Sequence, residues 1–377
     1  MADNNDNTRP HIRPADLINN ILMRLPVKSL TRFQSVSQDW GRLMRNPQFI
    51  SAHFNHFEQY QRIVLQRVAK LPAFCSSSFS LMRTDFDVRN FQFREFGLND
   101  GLVIGSSNGL LCFQHADRMS LTLCNPATRA VTPLPRFDNP NSYNSAFGFG
   151  FNKVGSEYKV VGLEMDGKLL IHGARVYSAA TDVWSNIDVT NLQKLHLLSD
   201  YVCVDGAVFW EVTADLSDYN MDSLLSFDIG QELFTKLKAP SLAYQAIDTN
   251  GSDLTVHNQL AVYNQKLAMF NYHEMENLKS SSIDLWVLEN TGTFSGDDGE
   301  RWVRHYSLGP FSKMLEPLNI LDEKIICREQ LPTETFFYLL NLQNNELQPM
   351  PTNREDYHVS HTYAESLVEV LNIPHLQ

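Results

Sequence analysis

The chain has 377 residues, 43% of them hydrophobic and 20% charged, with a formal net charge of −12. That length can bury a large core and excludes a small stapled scaffold, while the acidic balance argues against broad nucleic-acid binding, which needs a basic face. Residues 1–8 are polar and acidic where a secretory signal would be basic and then apolar, and no apolar run approaches the roughly 18 residues of a membrane span.

The expectation is therefore a cytoplasmic or nuclear protein with a disordered tail over residues 1–8 and no membrane or nucleic-acid partner. Cys75, Cys112, Cys124, Cys203 and Cys327 form no CxxC pair, and most lie in apolar runs, so they read as buried, reduced thiols. The charge is unevenly divided. Residues 9–57 hold seven Arg and Lys against only Asp16 and Asp39, a net +5, which leaves −17 for the rest. A basic segment in an acidic protein asks for an acidic partner.

From residue 14 to 25, Leu17, Ile18, Ile21, Leu22 and Leu25 recur at helical spacing, with Pro14 suited to the first helical position and Asp16 in the first turn. Pro26 stops this helix. A second short helix follows with Leu30, Phe33 and Val36 expected inward. Ser37 precedes a third carrying Trp40, Leu43 and Met44, and Pro47 opens a fourth with Phe49, Ile50, Phe54 and Phe57. Four short helices in about 45 residues carry too many large apolar groups for so small a unit to bury alone, which suggests a partner surface. The plainer alternative is that all of these groups are core. A helix-turn-helix DNA reader is disfavoured, because no helix presents the polar face that base edges require.

The run IRPADLINNILMRLPVKSLTRFQSVSQDWGRLMRNPQFISAHF, residues 12–54, resembles the F-box across the whole motif. Arg13 stands where that motif usually has leucine before its first proline, and Asn20 where an acidic residue is common. The resemblance implies that Pro14, Leu17, Ile18, Ile21, Leu25, Pro26, Val27 and Leu30 dock into an acidic Skp-type adaptor. It also implies that the adaptor links onward to a cullin and a RING subunit.

Beyond about residue 62 the pattern changes to short runs of Val, Ile, Tyr, Phe and Trp punctuated by Gly, Asn-Pro and Asp-Gly, the signature of an all-β region. A strand, a turn led by Asn, Ser or Asp, and a large apolar residue recur in LTLCNPATRAVTPLP, RVYSAATDVWSNI, LLSFDIGQELFTKL and FFYLLNLQNNELQPM. Aligned on Asn125, Ser178, Asp228 and Asn341, with the strand IDLWVLEN intervening near Leu288, the gaps are 53, 50, about 60 and about 53 residues. That period fits blades of a kelch-like β-propeller. Five blades fall between residues 105 and 352. A sixth is expected from Arg62–Val68, Phe79–Arg83 and Phe91–Phe96 with the C-terminal stretch Glu365–Leu371, closing the ring with both chain ends.

The segments GSSNGLLCF (105–113), CNPATR (124–129), GFGFN (148–152), VYSAATDVW (176–184), SFDIGQELF (226–234) and AESLVEVL (364–371) resemble the F-box-associated domain that follows F-boxes in plants. The S-locus F-box group shares that architecture. The expected organisation is a multidomain α and all-β chain: an F-box at 9–57, connecting strands at 58–100, and a propeller of about six blades at 101–372.

Catalytic and cofactor motifs are absent from this reading. Gly148-Phe149-Gly150 lacks the third glycine and helix of a dinucleotide fingerprint. The HxxH pairs His53/His56 and His358/His361 lack a further ligand, so no metal and no cofactor are expected. Asn250-Gly251-Ser252 reads as a turn, and Trp184, Trp210, Trp286 and Trp302 read as blade core. Four long polar connections, Arg136–Ser145, Thr213–Asp222, Asn271–Ser282 and Asn290–Glu300, are candidates for a target-binding rim. Two carry acid clusters, Asp215/Asp218/Asp222 and Asp297/Asp298/Glu300. They would suit a basic target, or are simply solvated loop charges.

Taken with the resemblance, the expected function is that of a non-catalytic substrate-recognition subunit of a Skp-cullin-F-box ubiquitin ligase, acting in protein degradation. The alternative is an F-box scaffold or decoy that binds a partner without supporting ubiquitination.

Overall fold

The computed structural model describes residues 14–58, 60–67, 78–83, 85, 88–98, 101–138, 144–192, 194–199, 201–216, 223–240, 254–275, 280–290, 301–350, 357–368 and 370. Four helices come first: α1 (Pro14–Leu22), α2 (Val27–Phe33), α3 (Gln38–Met44) and α4 (Pro47–Phe57). Proline stands at the first position of α1 and α4, where its missing N–H costs nothing and its fixed φ already suits the helix. Asn46 caps α4, its Oδ1 accepting from the Gln48 and Phe49 amides at 2.8 and 3.4 Å. Ser37 precedes α3 in extended conformation, but its side chain makes no capping bond.

The strands form six antiparallel sheets. Blade 1 begins with β1 (Arg62–Arg67), β2 (Ser78–Met82) and β3 (Val88–Gln92). Blade 2 comprises β4 (Leu102–Ser107), β5 (Leu110–Gln114), β6 (Leu121–Asn125) and β7 (Ala130–Pro133). Blade 3 comprises β8 (Asn144–Asn152), β9 (Glu157–Met165), β10 (Ile171–Ser178) and β11 (Val183–Ile187). In blade 4 the innermost strand is split into β12 (His196–Leu197) and β13 (Val202–Val204), both paired with β14 (Ala207–Thr213). β15 (Ser223–Asp228) and β16 (Leu233–Lys238) complete it. Blade 5 is β17 (Leu254–Tyr263), β18 (Lys266–Met275), β19 (Ser280–Asn290) and β20 (Arg301–Phe311). Blade 6 is β21 (Glu316–Leu321), β22 (Lys324–Gln330), β23 (Thr335–Asn341) and β24 (Leu347–Pro349). Last, β25 (Tyr357–Tyr363) returns to pair with β1, so that blade 1 draws on both ends of the chain.

The repeat seen in the sequence is a turn with one geometry. In blades 2, 3, 4 and 6 the third strand ends at Asn125, Ser178, Asp228 and Asn341, and the residue four positions on has positive φ: Arg129 (63°), Asp182 (57°), Glu232 (55°) and Asn345 (59°). Each of those residues donates its amide to the carbonyl of the turn-leading residue, at 2.8, 2.9, 2.8 and 3.1 Å. Asn125, Asp228 and Asn341 also accept amides from within the turn through Oδ1, which is why short Asx side chains lead it.

Alternation along a strand divides its side chains between the two neighbouring blades. On β1, Val64 packs with Val103, Leu111 and Phe113 of blade 2, whereas Ile63 and Leu65 pack with Ile326, Phe337 and Leu339 of blade 6. Comparable cores lie between blades 4 and 5 and between blades 5 and 6. The outer strands use tryptophan as a staple. Trp184 donates to the Pro135 carbonyl at 2.8 Å and Trp302 to the Lys238 carbonyl at 3.0 Å, each reaching the preceding blade.

Two expectations need correction. The closing strand is Tyr357–Tyr363, not Glu365–Leu371; after Tyr363 the chain leaves the ring and crosses blade 2. Leu367 and Val370 are buried there against different clusters, which mimics a strand's alternation in sequence. Val36 is not inward: it is 66% exposed in the turn after α2.

Candidate functional site

The first helix presents its aliphatic face outward. Leu17, Ile18 and Ile21 are 49%, 37% and 60% exposed, while Leu22 points into the helical core. Three large aliphatic groups at i, i+1 and i+4 form a continuous stripe of the kind that marks an interaction site. Pro26 is exposed and Leu25 half-buried beside it. The side chain of Pro14, at the start of α1, lies outside the described residues.

Val27 and Leu30 are 1% and 0% exposed, so their expected part in docking is corrected: they pack with Leu22, Met44 and Phe49 and hold the helices together. His53 adds a polar tie, its Nε2 lying 2.8 Å from the Leu25 carbonyl while Phe57 stacks on its ring at 4.5 Å. Burial lowers its pKa.

Sequence reasoning missed the seat of this helical unit. Leu367, near the C-terminus, is 2% exposed and belongs to the same cluster as Leu22 and Leu30, with Ala127 of the blade 2 turn packed against it. Asn125 anchors the segment by donating to the Ser366 and Val368 carbonyls at 2.9 and 2.8 Å. Gly109, at φ +82°, makes room for it, since a Cβ there would stand 2.0 Å from the Ser366 Cβ. No local signal in either segment points to the other.

Antiparallel order sorts the propeller connections between two faces. Turns joining first to second and third to fourth strands lie at one end, and because Ala127 sits in such a turn, that end carries the helices. The remaining connections lie opposite. Arg136–Ser145, Thr213–Asp222 and Asn271–Ser282 join strands of the opposite face, whereas Asn290–Glu300 joins β19 to β20, on the helical side. The four connections thus do not share one rim. Asp215 is exposed at the end of β14; Asp218, Asp222, Asp297, Asp298 and Glu300 lie outside the described residues.

Along the axis, Tyr201 precedes β13 and reaches two other blades. Its hydroxyl accepts from the Phe149 amide at 2.9 Å and occupies the space a Cβ on Gly105 would need. His361 of β25 lies 5.9 Å from its ring, with its pKa pushed down to about 4 by burial.

Among the described residues, Cys112, Cys124, Cys203 and Cys327 are free thiols; burial raises all four, Cys203 to about 12. Cys75 and the Asn250-Gly251-Ser252 triplet lie outside them. No group of three or more His, Cys, Asp or Glu side chains is arranged to hold a metal among the described residues, and no described helix is long and apolar enough to cross a membrane.

Comparison with known proteins adds family evidence to this geometry. An F-box/kelch-repeat protein of Arabidopsis thaliana is 25% identical over 337 residues, 85% of this chain and 86% of that protein. A second Arabidopsis F-box protein is 28% identical over 299 residues, 76% of this chain and 70% of that one. Among solved structures, TolB from Acinetobacter baumannii is similar with a TM-score of 0.47 at 8% identity, over 84% of this chain and 73% of that one. The F-box domain family model matches residues 14–51, and the model described as F-box associated beta propeller domain matches residues 71–348. The chain belongs to the plant F-box proteins that carry an F-box-associated β-propeller behind the F-box.

Proposed function

We propose that this F-box protein is the substrate-recognition subunit of a Skp-cullin-F-box ubiquitin ligase. The stripe of Leu17, Ile18 and Ile21, continued by Leu25 and Pro26, would dock into a Skp-type adaptor, which in turn would connect to a cullin and a RING subunit. The observation that carries this reading is that stripe: three aliphatic side chains left outward on a helix that buries Leu22 among the other helices. Exposed Arg24, Lys28, Arg32, Arg42 and Arg45 on the same unit suit an acidic adaptor and would speed its approach.

The propeller would hold a target protein. The face opposite the helices is the natural place, because a target there leaves the adaptor surface clear; a basic target would suit Asp215 and the acidic sequence after it. In this role the chain supplies proximity between a target lysine and a ubiquitin-charged enzyme, and no chemistry of its own. A cytoplasmic or nuclear site of action goes with that role.

The test is a pull-down from native plant extract scored for adaptor and cullin together. Recovery of both supports the ligase reading. Adaptor without cullin would replace it with the scaffold reading, and neither would end it.

A further inference from the structure

Where α2 meets the propeller, a cleft of about 280 Å³ is lined by Lys28, Thr31 and Arg32 of that helix, Arg89 of β3, Arg129 of the blade 2 turn and Glu365 of the C-terminal segment. This is just below the ~300–1,000 Å³ range of drug-sized ligand pockets. Its charge is at odds with the chain as a whole. Glu365 pairs with Arg89 and lies 3.6 Å from Arg62, and Glu95 lies 3.3 Å from Arg129. Lys28 and Arg32 are exposed and have no ion-pair partner among the described residues. Among the described residues, four cations thus line the cleft against one carboxylate, an excess of three positive charges in a chain of net −12.

Like charges at i and i+4, as Lys28 and Arg32 are, repel and weaken a short helix unless something neutralises them. An acidic adaptor on the outward stripe would account for cations on the helices alone, whereas Arg89 and Arg129 come from the propeller and stand beside Lys28 and Arg32 with one carboxylate, Glu365, in the cleft. Guanidinium groups converging from two bodies suit the forked oxygens of phosphate. A concave site this small fits a compact anion better than a protein surface.

We propose that this cleft binds a small polyphosphate, a molecule carrying two or more phosphate groups close together, which bridges the F-box and the propeller. Lys28 and Arg32 would hold one end and Arg89 and Arg129 the other. The bound anion would stiffen the joint on which the distance from adaptor to target depends. This assignment stands apart from the ligase reading, since it concerns the purified chain alone.

The experiment is calorimetric titration of the full chain with tripolyphosphate, beside sodium chloride at matched ionic strength and a ten-residue poly-glutamate peptide. The expected result is one saturable tripolyphosphate site that the salt control does not reproduce. It should weaken about tenfold or more, a loss of ~1.4 kcal/mol, in the K28E/R32E double variant and in Arg129→Ala. Lys168→Glu, in the β9–β10 turn on the opposite face, should leave it unchanged. Heat that follows ionic strength alone, or affinity unmoved by both cleft variants, overturns the proposal. Binding of the peptide in preference to tripolyphosphate overturns it too and assigns the cleft to an acidic protein segment.

Discussion

The buried amide of Asn125 donates to the carbonyls of Ser366 and Val368 at 2.9 and 2.8 Å, joining the blade 2 turn to the segment that carries Leu367 into the F-box core. The same side chain accepts the Ala127 amide at 2.9 Å through Oδ1, so the turn and the joint share one residue. Asn125→Ala removes the donor from the buried Ser366 carbonyl, at a cost of about 1–3 kcal/mol, and from the half-buried Val368 carbonyl, at less. We expect hydrogen exchange over residues 364–368 to rise sharply while β15 and β23 stay protected. Unchanged protection at the C-terminal segment would show that Leu367 packing holds it without Asn125.

Gly109 tests the same joint from the other side. Alanine there would need a left-handed backbone and a Cβ 2.0 Å from that of Ser366, so Gly109→Ala should displace the C-terminal segment by steric contact. The expected readout is proteolytic cleavage between Tyr363 and Leu371 under conditions that spare the parent chain. A variant as resistant as the parent would show that the β4–β5 turn can move instead.

Truncation separates ring closure from F-box seating. Ending the chain after Arg354 removes β25 and exposes the edge of β1, so that product should aggregate. Ending it after Tyr363 keeps the whole of β25 and loses Leu367, so that product should stay soluble with a loosened helical unit. Identical behaviour of the two products would contradict the division between the closing strand and the seat.

The F-box surface can be checked with changes that separate docking from packing. Ile18→Asp and Ile21→Asp sit on the outward stripe, so stability should move by only about 0.5 kcal/mol. Adaptor binding should weaken by at least about 2 kcal/mol, roughly thirtyfold. Leu30→Ala, fully buried, should instead destabilise the helical unit by about 2–5 kcal/mol. If the aspartate pair leaves adaptor capture intact, docking lies on another face.

These contrasts show what a sequence makes legible. Asn125, Ser178, Asp228 and Asn341 announce their turns because the bonds that form each turn close within five residues. The exposed stripe was visible as helical spacing, but spacing alone does not say which apolar residues face a partner, and Leu17 and Leu30 look alike until the packing of α4 separates them. The closing strand was displaced because Glu365–Leu371 alternates for another reason: its buried residues serve two bodies. Cleft residues Arg32, Arg89, Arg129 and Glu365 come together where the helices seat on blades 1 and 2, which no local pattern encodes.

Glu211 gives a pH dependence whose sign can be worked out. It lies on β14, 6% exposed, hydrogen-bonded to Ser199 and to the Leu260 backbone, with Oε1 unpartnered. Burial dominates and raises its pKa from 4.5 to about 8, because a carboxylate loses its hydration there. Below pH 4.5 the side chain is neutral whether the chain is folded or not. Between that value and about 8, the folded protein keeps a proton that the unfolded chain releases, so stability falls as pH rises across this window. The whole effect is at most roughly 5 kcal/mol at 1.36 kcal/mol per unit. Glu211→Gln keeps the shape and removes the titration. Urea midpoints of parent and variant should lie close together at pH 4.5 and diverge towards pH 8, with the variant the more stable there. Parallel curves across that range would mean that Glu211 is ionised in the fold, with a cation or water supplying the partner that its Oε1 lacks.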